Sequence, residues 1–332
     1  MPRHYSISYA AKAKVRKFWL IRRIIMFKRY VSTTLLVALA AFALTACSSI
    51  GPTNLTPPAQ KTFLWKVTSA HRVLYLTGNS NILSAKDYPL PAPMAEAFSK
   101  SGKLVFESSP DVNKQKAEAL VSKLGPLPGG ETLGQKLNTT QLKRVKNAFA
   151  KVDVPFAAMQ PMRPWVAGTV LQGKATMKLW HKIGAKRSDQ INLYFYKIAK
   201  AKSIPIVSLQ PATDIIRMLA NLPEKVQVSW LMLNAKRTTK PFNAKQYKQV
   251  IQAWRGGNTA FLAKMLAKSF GGYPKLTKAA VTNRNRKWVE ALEADLDKAG
   301  KPVFVIVGSG HLVGPNNMQD MLRQDGYTVT QL

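Results

Sequence analysis

Cysteine and histidine are scarce in this chain of 332 residues. Its single cysteine, Cys47, excludes a disulfide framework and a thiolate metal cluster. Four histidines are present, and no Ser-His-Asp spacing, phosphate-binding loop or dinucleotide fingerprint accompanies them. No long internal repeat occurs, which argues against a solenoid. Apolar residues make up 46 % of the chain, which is enough for the core of one large domain or of two small ones.

The N-terminus resembles the leader of an exported bacterial lipoprotein. Residues 26–47 read MFKRYVSTTLLVALAAFALTAC, in which two basic residues precede an apolar run too short for a permanent membrane anchor. The letters LTAC then place Cys47 where a bacterial lipobox carries its lipidated residue. We therefore expect residues 1–46 to be a leader or signal peptide, with Met26 as a second candidate for the start of translation. A cytosolic protein with an apolar N-terminal helix is the alternative.

Residues 47–60 follow this leader and are typical of a lipidated Ser/Pro/Gly tether. Ser48, directly after the lipidated residue, indicates the outer membrane of a Gram-negative bacterium, with the protein facing the periplasm. We expect attachment to the membrane through the lipid on Cys47. Residues 61–332 are then expected to form a single domain.

Acidic residues are few, 16 against 50 Lys and Arg, and the net charge is +34. Nine basic and no acidic residues precede Cys47, so the chain from Cys47 onward carries 41 basic and 16 acidic residues, a net charge of +25. Such a surplus favours an anionic partner. The charges are spread along helical segments and no nucleic-acid-binding module is recognisable, so we expect no nucleic acid partner. A basic surface that faces an anionic envelope polymer is the interpretation we favour.

Strand patterns cluster near the two ends of the expected domain, and helical patterns lie between them. FLWKVTS and RVLYLTG predict a hairpin, KLVFES and IPIVSLQ predict short strands, the last of them buried, and the C-terminus predicts strand, turn, helix and strand. Residues 156–173 predict an apolar helix with a break near MRPW, and residues 211–299 are almost wholly helical in pattern. We predict an α+β fold with a central mixed β-sheet, built from strands near both ends of the chain and covered by helices. A division at about residue 210 is the alternative, but the last strands would then lack a sheet.

Two glycine turns and one carboxylate follow predicted strands. VFVIVG ends in Gly308 and His311 stands three residues later, while VLYLTG ends in Gly78 and Asn81 occupies the matching place. Glu107 closes the apolar strand in KLVFES, where a carboxylate is costly unless it is solvated, paired or bound to a cation. Ligand sites are common at the carboxyl ends of strands in helix-covered sheets, so these residues are candidates for one cleft. A histidine that is hydrogen-bonded into a turn for structural reasons is the alternative.

The order and spacing of these blocks resemble the TraB/GumN family, whose animal members include the Tiki proteins. The likeness covers nearly the whole expected domain, from FLWKVTSAHRVLYLTGNSN through LPGGETLGQKL, MRPW and NRNRKW to VFVIVGSGHLVGPNNMQDMLRQDGYTV. The resemblance implies an α+β fold related to ChaN and to the erythromycin-esterase-like proteins. It also implies a site of two G-x-x-H turns and a glutamate, which Tiki proteins use as a metal-dependent peptidase.

When the family's residue roles are carried over by position, the resemblance implies that His311 and Glu107 are metal ligands and catalytic residues. Asn81 becomes a weakened ligand at a place where the family usually has histidine. Gln210 stands where relatives often show an acid, whereas Asp189 keeps an acid. A catalytic zinc ordinarily has three protein ligands, and an amide oxygen is a poor substitute for imidazole. The resemblance therefore implies a divalent metal, Mn, Co, Zn or Ca, that is held weakly.

Arg163 in MRPW, Arg284 in NRNRKW and Asp189 are further candidates for ligand binding, and Arg284 is the best of them. Helix packing is the alternative role for both arginines. We predict an envelope lipoprotein with a degenerate hydrolase-like site, little or no catalysis and a binding role. An active metal-dependent peptidase of Tiki type, acting on a peptide substrate at the outer membrane, is the alternative. Haem binding by analogy with ChaN is a third hypothesis and rests on likeness of fold alone.

Overall fold

The structure is a computed structural model that describes residues 61–332 except residues 242 and 271. The predicted leader, the lipidated Cys47 and the tether lie outside the described residues. No helix in the part of the chain that is described is long and apolar enough to cross a membrane.

Six strands form one mixed sheet in the order β4-β3-β5-β2-β1-β6. β1 and β2 pair antiparallel as the predicted hairpin, and β6 pairs antiparallel with β1. β2, β5, β3 and β4 run parallel to one another. The sheet thus takes strands from both ends of the described chain, which confirms the predicted α+β fold. The strands are β1 (Leu64–Thr68), β2 (Val73–Asn79), β3 (Lys103–Phe106), β4 (Ile206–Ser208), β5 (Val303–Gly308) and β6 (Thr328–Gln331).

The strand order explains which apolar runs are buried. β5 lies between β3 and β2, and all of its residues are buried, as its continuous apolar sequence predicts. The prediction of a buried strand at IPIVSLQ was wrong. β4 stands at the edge of the sheet, pairs with β3 on one side, and leaves Val207 41 % exposed. A short apolar run indicates a strand but does not show on which side it is paired.

Helices cover the sheet and fill the middle of the chain. Their order is α1 (Ala92–Lys100), α2 (Lys114–Leu124), α3 (Thr139–Lys151), α4 (Pro164–Ile183), α5 (Ile191–Ala201), α6 (Ala212–Asn221), α7 (Glu224–Thr239), α8 (Ala244–Arg255), α9 (Thr259–Phe270), α10 (Pro274–Thr277), α11 (Asn283–Leu296) and α12 (Met318–Gln324). A π-helical turn, Lys278–Thr282, joins α10 to α11, and 3₁₀ turns occupy Phe156–Met159 and Ser309–His311.

Local sequence signals set several helix ends. Asn138 and Asn243 form capping boxes with the glutamines three residues later, which satisfies backbone N–H groups at the starts of α3 and α8. α4 begins with Pro164 and ends at Ile183, directly before Gly184, whose φ of 68° lies in the left-handed region. The break predicted near MRPW is confirmed, because a 3₁₀ turn, Phe156–Met159, precedes the helix. The helix itself extends ten residues beyond the predicted end, to Ile183.

α4 and α7 pack closely where a small residue meets a large one. The Trp230 indole lies over Gly168, where an added Cβ would stand 2.6 Å from its Cδ1 atom. The indole N–H of Trp230 donates to the hydroxyl of Thr169 across 3.3 Å. These helices pack beside the sheet in one apolar core that includes β1, β2, β3 and β5.

Candidate functional site

The parallel strands bring their carboxyl ends to one edge of the sheet. Glu107 directly follows β3 and its amide N–H donates to the carbonyl of Ile306 on β5 across 2.8 Å. His311 ends the 3₁₀ turn that follows β5, and Gln210 follows β4. The register of the strands, not their order in the sequence, therefore places a carboxylate beside an imidazole.

Glu107 is 5 % exposed and both of its carboxylate oxygens have donors. Oε1 accepts from Nη2 of Arg284 across 2.5 Å, and Oε2 accepts from the backbone N–H of Gly308 across 2.8 Å. The carboxylate forms a charge-assisted, buried ion pair with the guanidinium. It is the kind of pairing that a strand-end carboxylate in an apolar sheet requires.

Arg284 lies in the first turn of α11 and is 4 % exposed. Its Nε donates to Oε1 of Gln210 across 2.7 Å, and its Nη1 donates to the carbonyl of Ala280 across 3.2 Å. The guanidinium carbon stands 4.4 Å from the ring centroid of Trp288, a cation–π contact one helical turn further on. Because Ala280 belongs to the π-helical turn before α11, this irregular turn takes part in holding the arginine.

His311 is 1 % exposed, and a hydrogen bond at its Nδ1 atom fixes the orientation of the ring. Its Nδ1 lies 2.6 Å from Oδ1 of Asn285, whose own Nδ2 donates to the carbonyl of Asn316 across 2.7 Å. Because Oδ1 is an acceptor, Nδ1 carries the proton and the lone pair is on Nε2. Nε2 stands 3.4 Å from Nη1 of Arg284 and 3.9 Å from Oε2 of Glu107.

Burial and the ion pair set the charges of this cluster. Burial lowers the pKa of His311 to about 3, against an opposing attraction from Glu107, so the imidazole is neutral at neutral pH. Burial acts to raise the pKa of Glu107, but the guanidinium of Arg284 and the Gly308 N–H outweigh it and hold that pKa below its ordinary value. Burial also lowers the pKa of Arg284, and Glu107 offsets part of this effect. The cluster is thus a carboxylate, a guanidinium and a neutral imidazole.

Both predicted turn glycines are sites of close approach. A Cβ on Gly308 would stand 3.1 Å from Oε2 of Glu107 and 3.3 Å from Cδ2 of His311, so a larger residue would press on both side chains. A Cβ on Gly78 would stand 2.6 Å from the hydroxyl of Ser309. That hydroxyl donates to the carbonyl of Asn79 across 2.6 Å and ties the two strand-end turns together. The glycines therefore allow the β2 and β5 turns to pack against each other.

The donors present here do not fit the metal that the family resemblance implies. No group of three or more His, Cys, Asp or Glu able to hold a metal ion exists among the described residues. Of the three predicted ligands, Asn81 offers only an amide oxygen. Glu107 is already bound to Arg284, and the lone pair of His311 faces the same guanidinium at 3.4 Å. A metal ion between them would have to displace this ion pair or stand next to its positive charge. Arg284 supplies the positive charge that balances Glu107.

Asn81 lies beyond β2, whose carboxyl end stands beside that of β5, while Arg163 and Asp189 contact other segments. Asn81 is buried two residues beyond the end of β2, and its carbonyl accepts from the indole N–H of Trp180 across 2.6 Å. Arg163 stands before α4, where its Nε donates to the carbonyl of Pro126. The carboxylate of Asp189 accepts from the backbone N–H of Lys186, within a short 3₁₀ turn. Of the three ligand-binding candidates, only Arg284 joins the cluster of Glu107 and His311.

Sequence reasoning missed Asn285, which fixes the tautomer of His311. NRNRKW contains it next to Arg284, but nothing in a short polar stretch distinguishes a buried asparagine from a surface one. Its neighbour Arg286 illustrates this, because it forms a surface pair with Asp325 at 2.7 Å. Helical spacing separates the two faces only once the buried face of α11 is known.

The structure is thus that of an α+β protein whose mixed sheet holds a buried carboxylate, guanidinium and imidazole at the ends of its parallel strands. The chain belongs to the TraB/PrgY/gumN family, whose family model matches residues 63–331. It is similar to YbaP of Escherichia coli (strain K12) and to YbaP of Shigella flexneri, each 24 % identical over 253 residues that cover 76 % of this chain and 89 % of the relative. No solved structure matches the sequence.

Proposed function

We propose that this protein is an exported, lipid-anchored member of its family in the bacterial cell envelope, and that its strand-end site does not perform metal-dependent hydrolysis. The role we assign to it is binding of an anionic envelope component. One observation carries the proposal: the guanidinium of Arg284 forms an ion pair with the carboxylate of Glu107 and faces Nε2 of His311. A site that balances its own charge internally has no need of a divalent cation.

The basic balance of the chain supports a binding role. From Cys47 onward the net charge is +25, and most lysines of the described helices are exposed. Such a surface attracts polyanions at long range and loses that attraction as salt is added. Lipopolysaccharide and acidic glycans are the envelope polymers with the matching charge.

Metal analysis tests the site directly. The full chain, purified without chelators, should contain substoichiometric metal, and His311→Ala should leave the content unchanged. Stoichiometric zinc or manganese that is lost in His311→Ala would overturn the proposal. For the binding role, lipopolysaccharide should bind saturably at low ionic strength and weaken steeply with added salt. Binding that is absent or insensitive to salt would remove the support for that role.

One observation favours the alternative, a metal-dependent hydrolase. The Asn285 side chain keeps the proton on Nδ1 of His311 and leaves Nε2 as a lone-pair donor, as metal-binding histidines require. In that case Arg284 would have to leave Glu107 when the metal enters. Metal-dependent cleavage of a peptide by the natural protein, abolished in Glu107→Gln, would establish this alternative.

A further inference from the structure

A cleft of about 560 Å³ opens on a part of the molecule that the strand-end site does not use. It lies between the entry into β1, the first turn of α1 and the last turn of α8. Both charged residues on its walls are cations, and no carboxylate lines it. We propose that this cleft binds the phosphate group of an anion, and that a phospholipid headgroup supplies it in the anchored protein. The lining residues are Lys61, Thr62, Pro91, Ala92, Pro93, Gln252, Arg255 and Gly256.

Arg255 is held in place but is not neutralised. Its Nη1 donates to the carbonyl of Asp87 across 2.5 Å and its Nη2 donates to the carbonyl of Pro89 across 3.1 Å. A guanidinium has five N–H groups, and the others have no hydrogen-bond acceptor among the described residues. A rigid guanidinium with unused donors matches the geometry of a phosphate.

The carboxylate of Asp87, whose backbone carbonyl accepts from Arg255, already has other donors. Oδ2 of Asp87 accepts from the backbone N–H and the hydroxyl of Ser84 across 2.7 and 2.8 Å, and from the hydroxyl of Tyr247 across 3.2 Å. No described carboxylate forms an ion pair with Arg255. The positive charge of Arg255 is therefore available to a ligand in the cleft.

The wall beside Lys61 is also fixed. The side-chain amide of Gln331 donates to the carbonyls of Thr62 and Gly257 across 2.9 and 2.8 Å. The hydroxyl of Thr62 donates to the carbonyl of Leu332 across 3.0 Å. The backbone from which Lys61 extends is thus joined both to β6 and to the end of α8.

α8 continues the positive charge outside the cleft. Lys248 precedes Gln252 by four residues and Arg255 by seven, so all three lie on one face of the helix. Lys245 stands one turn before Lys248, and both lysines are exposed. A helix C-terminus opposes an anion and a helix N-terminus favours one, so the ends of α8 and α1 act in opposite directions at the cleft.

The assignment to a lipid rests on the proposed anchor at Cys47, whereas the phosphate site does not. Cys47 precedes Lys61 by 14 residues, and a chain of that length reaches at most roughly 50 Å. The rim of the cleft is thus the described surface that stands nearest to the anchor along the chain. A headgroup bound there would hold this face of the domain against the membrane.

Calorimetric titration of the full chain, purified in a mild detergent, tests the site. The probes are inorganic phosphate, dihexanoyl phosphatidylglycerol and dihexanoyl phosphatidylcholine, the last as a headgroup without net charge. We expect saturable binding of phosphatidylglycerol that is tighter than that of the other two. Arg255→Gln should abolish it, and Lys61→Gln combined with Lys248→Gln should weaken it roughly fivefold for each lysine removed.

Lys197→Gln combined with Lys202→Gln is the matched control, since it removes the same charge. Both lysines are exposed on or directly after α5, which leads to β4 at the opposite edge of the sheet. The control should change the dissociation constant less than twofold. An equal loss in the control, or no saturable binding of any probe, would overturn the site. Binding of inorganic phosphate without phosphatidylglycerol would overturn the lipid assignment alone, and none of these outcomes depends on the metal content.

Discussion

Replacing Arg284 by methionine should destabilise the fold by about 3–5 kcal/mol at pH 8, because it leaves a buried carboxylate without its cation. Glu107 is 5 % exposed, and after the substitution its described donor is the Gly308 N–H at 2.8 Å. A hydrogen bond to a charged group contributes about 1.5–3 kcal/mol, whereas burying a carboxylate costs several kcal/mol. The remaining hydrogen bond therefore does not offset the loss of the guanidinium.

The loss should also depend on pH, with a defined sign. In the natural protein burial acts to raise the pKa of Glu107, but Arg284 outweighs it and the pKa is low. Without the guanidinium, burial prevails and the folded-state pKa rises above that of the unfolded chain. The destabilisation is then fully present at pH 8 and becomes smaller as the pH falls, because the folded variant takes up a proton before the unfolded chain does.

Urea unfolding followed by tryptophan fluorescence at pH 8 and pH 5.5 measures both effects. Arg286→Met is the matched control on the same helix, since Arg286 pairs with Asp325 at the surface with 42 % of its side chain exposed. Arg286→Met should lower the free energy of unfolding by less than about 1 kcal/mol. Combining Arg284→Met with Glu107→Gln should recover part of the loss at pH 8. Equal losses in Arg284→Met and Arg286→Met, or a loss that is the same at both pH values, would refute the reasoning.

Three further predictions concern this cluster and the turns beside it. Burial lowers the pKa of His311 from 6.5 to about 3. Between pH 6.5 and pH 5 the unfolded chain therefore takes up a proton at this residue, whereas the folded protein does not. The free energy of unfolding should then fall by up to about 1.4 kcal/mol per unit as the pH drops through this range. Urea titrations of His311→Gln should lack this slope, and an unchanged slope would contradict the assignment. Gly308→Ala should lower the free energy of unfolding by about 1–3 kcal/mol, because the added Cβ presses on Glu107 and His311. Gly272→Ala is the control, since nothing lies within 4 Å of its added atom, and it should lower the free energy of unfolding much less. Thermal or urea unfolding measures both. Asn81→His should leave zinc substoichiometric in protein purified without chelators, since Arg284 still pairs with Glu107; one zinc per chain would show that the guanidinium does not exclude the cation.

Several features of the fold were readable from local sequence. The hairpin of β1 and β2, the strands near both ends and most helices follow from apolar periodicity and from glycine and proline signals. The sequence did not predict the edge position of β4, because a short apolar run has the same pattern whether the strand is paired on one side or on both. The length of α4 was underestimated, since its second half carries basic residues that interrupt the apolar pattern.

The sequence by itself determined the candidates for the site: a glycine turn with His311, a strand-end Glu107 and an arginine in NRNRKW. It also determined the strongly basic balance of the chain. Only the tertiary structure decided that Arg284, 177 positions after Glu107, meets its carboxylate, and that Asn285 orients His311. The physical reason is that periodicity reports which face of an element is buried, whereas the partner of a buried charge depends on which strands lie side by side. Here β5 lies between β2 and β3, and that arrangement brings the turns after strands from both ends of the described residues together.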